Sequence, residues 1–182
     1  MPRRALTPVL ALFALALPLT AQDGPRALER EILRELIEIN TSDSASGSPV
    51  AAQAMARRLL DAGFPAADVR VLGRIPRIQH LVVRYRGTGA RPPILLMAHL
   101  DVVDARAEDW SRPPSRFIEE DGWYYGRGTT DNKAGAAMLV ANFIRYRREG
   151  WVPDRDLIVA LTCDEETDAD GIKWLLREHR PL

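Results

Sequence analysis

Apolar residues recur along this chain in two alternating rhythms. Leu28, Ile32, Leu36 and Ile39 are spaced by four, four and three, which predicts a helix over Pro25 to Ile39. A polar stretch from Asn40 to Ser48 follows and reads as a loop. Ser48-Pro49 has the form of an N-cap with proline at the first helical position, and the helix it opens runs to about Asp61, ended by Gly63. The rhythm then shortens. Val69 to Leu72, His80 to Tyr85 and Ile94 to Ala98 are β-rich runs, the last two separated by Gly87-Thr88-Gly89 and Pro92-Pro93. Asp121-Gly122 between Phe117-Ile118 and Trp123-Tyr124-Tyr125 is a hairpin signal. Ala134 to Arg148 returns to helical spacing through Met138, Ala141, Ile144 and Arg145. Leu157 to Leu161 is nearly all apolar, as a strand buried on both faces would be. A last helix spans Ala169 to Glu178.

Strands that alternate with helices predict an α/β layered domain with a largely parallel sheet. In such sheets ligands gather at the carboxyl ends of the strands. Three polar motifs fall there or in the adjoining loops. They are His99-Leu100-Asp101, Gly126-Arg127-Gly128-Thr129-Thr130-Asp131-Asn132-Lys133, and Asp164-Glu165-Glu166. No internal repeat or low-complexity segment interrupts them.

The first 21 residues stand apart. Arg3 and Arg4, the apolar run Val9 to Leu19, and Leu19-Thr20-Ala21 have the layout of a cleaved export signal, so the chain is expected to be exported, periplasmic or secreted. The competing reading is an N-terminal membrane anchor, but the run is short for a span and Pro18 breaks its end. Removing 21 of the 182 residues leaves 161, the size of one domain, with no further stretch able to span a bilayer. That remainder holds 23 basic and 25 acidic residues, a formal charge of −2, which does not suggest nucleic acid as a partner. Cys163 is the sole cysteine, so no intrachain disulfide forms, and the fold rests on its core or on metal. Without a basic neighbour in sequence, Cys163 reads as a small buried residue at a strand end.

Each motif carries a plain reading beside a chemical one. His99 and Asp101 share a face in extended chain. Asp101 can then accept from one imidazole nitrogen and leave the other for a metal, or the pair merely ends a strand. Asp131 follows a glycine-flanked turn and precedes a helix. There it or Thr130 is an N-cap, or Asp131 is a carboxylate whose two oxygens bridge two cations. Lys133 reads as a surface or supporting charge. Adjacent carboxylates at Asp164, Glu165 and Glu166 repel unless a cation or solvent compensates. Asp164, Asp168 and Asp170 fit a solvated acidic loop. Glu165 and Glu166 can divide labour, one on a metal and the other taking a proton from water. Trp110 and Trp123-Tyr124-Tyr125 fit either an apolar pocket wall or hairpin core.

Taken together, the motifs resemble the M20 family of metallopeptidases and amidohydrolases, most closely its carboxypeptidase S-like and N-acyl-amino-acid hydrolase branch. The resembling stretches are Leu96 to Val103, Trp110 to Gly135 and Leu161 to Glu166, and the likeness extends over nearly all of the chain after residue 21. It implies a three-layer, zinc-exopeptidase-like domain over residues 22–182, the N-terminal part of a catalytic domain that stops before a lid domain and a C-terminal half. It implies two Zn2+ ions, with Mn2+ or Co2+ as alternatives. His99 would bind one zinc, Asp131 would bridge both through an unusual cis peptide to Asn132, and Glu166 would bind the second. Glu165 would be the general base and Asp101 would orient His99. The reaction would be hydrolysis of an amide or peptide bond beside a free carboxylate, on a small peptide or N-acyl amino acid. Two further ligands and a dimer-forming lid would lie past Leu182, so the chain alone is expected to bind zinc weakly and to be inactive. His179 is expected to be an exposed helix residue. A deacylase of N-acetyl amino acids or diaminopimelate precursors uses the same motifs, and a non-catalytic exported α/β module that binds a partner is the alternative of another class.

Overall fold

The computed structural model describes residues 23–179, so the expected export signal lies outside the described part. Four helices and six strands follow in order: α1 Asp23–Glu38, α2 Ser48–Asp61, β1 Val69–Ile75, β2 Ile78–Tyr85, β3 Ile94–His99, β4 Ile118–Glu120, β5 Trp123–Tyr125, α3 Lys133–Glu149, β6 Leu157–Thr162 and α4 Asp170–Glu178. No described helix is long and apolar enough to cross a membrane.

The main sheet has the order β1-β2-β6-β3, and the fold is mixed α/β. Its strands are not largely parallel, as the alternation of elements suggested. Only β3 and β6 run parallel; β1–β2 and β2–β6 are antiparallel. The cause is local. Two residues, Pro76 and Arg77, join β1 to β2, and so short a link permits only a hairpin. Between β3 and β6 the chain is long enough to cross over through α3. β1 also runs to Ile75, beyond the expected Leu72, with an irregularity in register between Leu72 and Ile75. β4 and β5 form a separate hairpin whose turn residues Asp121 and Gly122 have φ of 52° and 80°, the left-handed pair that a two-residue hairpin turn demands.

One face of the sheet carries Leu81, Val83, Val159, Leu161 and Ala98 into the core, beneath α2 and α3. α1 packs on α3 through Ile32, Leu33, Leu36 and Ile37, all buried. The buried apolar stripe of α3 is Ala136, Ala137, Val140, Ala141, Phe143 and Ile144. Met138, expected on it, is exposed. Because α3 is wedged between β3 and α1, its buried arc is wider than a single three-four series and is centred elsewhere. Four buried alanines in α2 (51, 52, 54 and 56) let that helix lie close to β1 and β2. On the other face, α4 starts over His80, while Leu95 and Met97 are exposed.

Ser48 does not cap α2. Gly47 occupies the cap position, and the Ser48 hydroxyl instead donates to the Arg77 carbonyl at 3.1 Å and accepts from the Gln79 amide at 3.3 Å. The hydroxyl thus ties α2 to the β1–β2 hairpin.

Candidate metal centre

The parallel pair builds the site. His99 stands opposite Thr162 in register, and the Leu100 amide donates to the Thr162 carbonyl at 2.8 Å. The chain leaving β3 and the chain leaving β6 therefore run side by side at one sheet edge. The first brings His99 and Asp101, the second Cys163 to Glu166. The third motif arrives at the start of α3. Gly126 and Gly128 adopt φ of 150° and 95°, and a Cβ on Gly128 would stand 2.8 Å from Lys133 Cδ, so glycine is needed for that close turn. The Asp131–Asn132 peptide is cis, as the resemblance implied. Asn132 takes the N-cap position with no side-chain cap bond, so Asp131 is not the cap.

His99 is buried at the centre. Its Nε2 lies 2.9 Å from Asp131 Oδ1 and 3.7 Å from Glu165 Oε2. Its Nδ1 donates to the Asp101 backbone carbonyl at 3.0 Å, with Asp101 Oδ1 further off at 3.5 Å. The expected bond from the imidazole to the Asp101 side chain is therefore made first to that residue's main chain. The Asp101 carboxylate has a second task, since its Oδ2 accepts from the Glu166 amide at 2.8 Å and so couples the first motif to the third. One ligand atom from each of His99, Glu165 and Glu166 lies within 4.8 Å of the others. Asp131 joins them through its contact with His99, and its side chain is 72% exposed.

The electrostatics follow from this crowding. Burial would depress His99, but hydrogen bonds to Asp101 and Asp131 outweigh it and raise the imidazole to about 9. Burial would raise Asp101, but bonds from His99 and the Glu166 amide hold it below its ordinary value. Glu166 is raised, by burial first and then by Asp131, Glu165 and Asp101, against the attraction of His99. Carboxylates that crowd one imidazole in this way form a cation-seeking set. A hard or borderline divalent ion with nitrogen and oxygen preferences fits it.

Three buried polar residues were not legible as such. Lys133 is 1% exposed, not a surface charge, and its Nζ donates to the Leu36 and Ile39 carbonyls at 2.8 Å each. It closes the carboxyl end of α1, which has no basic residue in its own last turn. Burial lowers its pKa to about 8. Asp164 is buried too, while Asp168 and Asp170 are exposed as an acidic loop would be. His80, which no motif flagged, is buried behind it and accepts from the Cys163 amide at 3.1 Å. A run of apolar residues around His80 signals burial but gives no hint of a polar partner more than eighty residues away. Cys163 is buried, as expected, and burial pushes its thiol up.

A cavity of about 220 Å3 opens beside Glu166, lined among others by Asp101, Thr167, Ser42, Ser46 and Arg77. Trp110, Trp123, Tyr124 and Tyr125 do not line it. Trp123 is 70% exposed, the Tyr124 ring packs 5.0 Å from Phe117, and Arg112 and Arg127 lie over Tyr125 and Trp110. His179 is half-buried against Trp174 and is not among the residues gathered at His99.

Residues 95–181, which hold all three motifs, match the model of Peptidase family M20/M25/M40. A succinyl-diaminopimelate desuccinylase of Roseobacter denitrificans is 40% identical over 120 residues, covering 65% of this chain and 30% of that protein. The human N-fatty-acyl-amino acid synthase/hydrolase PM20D1 is 38% identical over 102 residues, covering 52% of this chain and 20% of that one. The chain thus spans between a fifth and a third of these relatives' length. Among solved structures, the di-peptidase Dug1p of Saccharomyces cerevisiae superposes with a TM-score of 0.72 at 19% identity, over 86% of this chain and 36% of that one. That likeness is one of fold.

Proposed function

We propose, from the match of residues 95–181 to the M20/M25/M40 peptidase family, that this chain supplies the metal-binding core of an exported dinuclear-zinc hydrolase. The bond cleaved is an amide or peptide bond beside a free carboxylate, in a small peptide or an N-acyl amino acid. The observation that carries the reading is the convergence of His99, Glu165 and Glu166 within 4.8 Å, with Asp131 against the same imidazole. Bound zinc supplies Lewis acidity toward the carbonyl and lowers the pKa of water.

The chain's own residues have distinct tasks in this reading. His99 and Glu166 would each hold one ion, and Asp131, whose exposed carboxylate meets His99 Nε2 at 2.9 Å through Oδ1, would serve both. Glu165 is exposed beside them and takes the proton of the attacking water at its carboxylate. The Asp101 carbonyl fixes the His99 tautomer by accepting from Nδ1, which leaves Nε2 for the metal. The Asp101 carboxylate holds the backbone that carries Glu166. Acyl removal and dipeptide cleavage make the same demand on these residues, and the names of the matched relatives include both. The export of the chain and a homodimer of the whole enzyme belong to the same proposal.

Calorimetric titration with Zn2+, paired with the visible spectrum of the Co2+ form, tests the metal reading. Saturable binding that His99→Ala abolishes is expected. Binding indifferent to His99 and Glu166 would sink it. Release of free amine from N-succinyl and dipeptide substrates by the full-length enzyme, lost in Glu165→Gln while zinc binding persists, tests the assignment of the base.

A further inference from the structure

Neither glutamate of the third motif is held by its own side chain. Glu165 is exposed and its carboxylate lies 3.7 Å from His99 Nε2, and among the described residues neither glutamate carboxylate has a hydrogen-bond donor closer than that. Their positions are therefore inherited from the backbone of the Cys163–Ala169 turn. That turn has a tether in front, the Glu166 amide on Asp101 Oδ2. It also has an elaborate anchorage behind, which the proposed chemistry does not use.

The rear anchorage is polar and buried. His80 and Asp164 are 1% and 5% exposed. The Cys163 amide donates to His80 Nδ1 at 3.1 Å, so Nδ1 is an acceptor and a neutral ring carries its proton on Nε2. Asp164 Oδ2 accepts the Gly171 amide at 2.6 Å. The Asp164 carbonyl accepts from Thr167 Oγ1 at 3.1 Å and from the Ala169 amide at 2.9 Å. Gly171 permits the arrangement, since a Cβ there would overlap the His80 ring and stand 2.6 Å from Asp164 Oδ1. That oxygen is buried without a hydrogen-bond partner, and the Nε2 edge of His80 borders the same spot. A buried polar group is costly when its partner is lost, so the cluster favours the arrangement that keeps the Cys163 amide on His80 and the Gly171 amide on Asp164.

We propose that His80 and Asp164 are positioning residues: together they clamp the turn from behind and so fix where Glu165 and Glu166 point. Their effect on metal binding rests on the zinc reading above; their effect on the turn does not.

Residue-resolved amide exchange on the chain, with zinc titration of the same samples, tests this. His80→Leu removes the acceptor. The Cys163 and Glu166 amides are expected to exchange about tenfold faster or more, with Val159 in β6 within about twofold of the parent. Zinc affinity is expected to fall by about 10- to 100-fold, as it does when outer-shell partners are lost. His80→Asn places an amide oxygen near the Nδ1 position and should restore both to within a few-fold. Should His80→Leu fail to fold, Gly171→Ala, which forces α4 off the pair, carries the same expectation. Faster exchange spread evenly through β6 would reduce the pair to general stability and overturn the proposal. So would an unchanged Glu166 amide, or zinc affinity that stays put while the turn loosens. A parent chain with no His99-dependent zinc binding would overturn the metal reading and the zinc part of this one, while the exchange pattern still decides the clamp.

Discussion

The two sides of the candidate metal centre are built in opposite ways. On the sheet side, His99, Asp101 and Lys133 are buried and each makes at least one hydrogen bond to backbone. On the solvent side, the Asp131 and Glu165 side chains are 72% and 56% exposed, against 7% for His99. The buried side is organised before any ion arrives. The acidic side carries charges that repel one another and that gain from a cation. Rigidity is concentrated where a direction must be set, at the imidazole, and solvation is kept where charge must be tolerated.

Removing the buried donor should break the contrast most severely. His99→Ala takes out the one candidate nitrogen ligand gathered there among the described residues, and with it the partner of Asp101 and Asp131. Zinc affinity is expected to fall more than about 100-fold, or about 3 kcal/mol. Asp131→Ala leaves the imidazole seated and should cost zinc affinity while leaving the far-UV spectrum and melting curve of the metal-free chain unchanged. If both variants lose fold and metal alike, the two sides are not separate.

Lys133 tests the same side through stability. Lys133→Met keeps the volume but strands the Leu36 and Ile39 carbonyls at the end of α1. A loss of about 3 kcal/mol is expected, read by urea unfolding. A loss below about 1 kcal/mol would mean that water satisfies those carbonyls.

The metal-free chain should also report the contrast through pH. His99 is raised from an ordinary 6.5 to about 9, so between those values the folded state holds the extra proton, and stability falls as pH rises. Lys133 is lowered from 10.5 to about 8, so over that window the unfolded state holds the extra proton, and stability rises with pH. Unfolding free energy should fall from pH 6.5 to 8, change little to pH 9, and recover toward 10.5. Each limb is on the order of 2 kcal/mol. Lys133→Met should erase the recovery and His99→Asn the fall. Saturating zinc, which displaces the proton at Nε2, should flatten the falling limb.

How much of this could be read from the chain depended on how local each signal was. α1, α2 and the Asp121-Gly122 hairpin are written in spacing and turn chemistry within a few residues, and they stand where the pattern placed them. The strand directions were not legible, because the two-residue link at Pro76-Arg77 fell between a β1 read too short and a β2 read from His80. His99, Asp101, Asp131, Glu165 and Glu166 were legible as a set, since three motifs at strand ends constrain one another. Lys133 and Asp164 were misread for one reason. A charged residue in a polar loop looks solvated unless its partner is known, and here the partners are carbonyls about 95 positions earlier and an amide seven positions later. Ser48 shows the same limit, since its hydroxyl answers Arg77 and Gln79 across the fold in place of its own helix.

The smallest effect sharpens the boundary of the site. Among the described residues Trp123 is the most exposed of the large apolar side chains, at the start of β5 and outside the cavity beside Glu166. An exposed aromatic near a motif invites assignment to a substrate wall. Its geometry assigns it to neither wall nor core, because Phe117 and Tyr124 make the hairpin's ring contact without it. Trp123→Ser should change unfolding free energy by less than about 0.5 kcal/mol and zinc affinity by less than about twofold. A larger loss of zinc affinity would mean that the β4–β5 hairpin reaches the carboxylates, and the open side of the centre would then be less independent of its surroundings than its exposure implies.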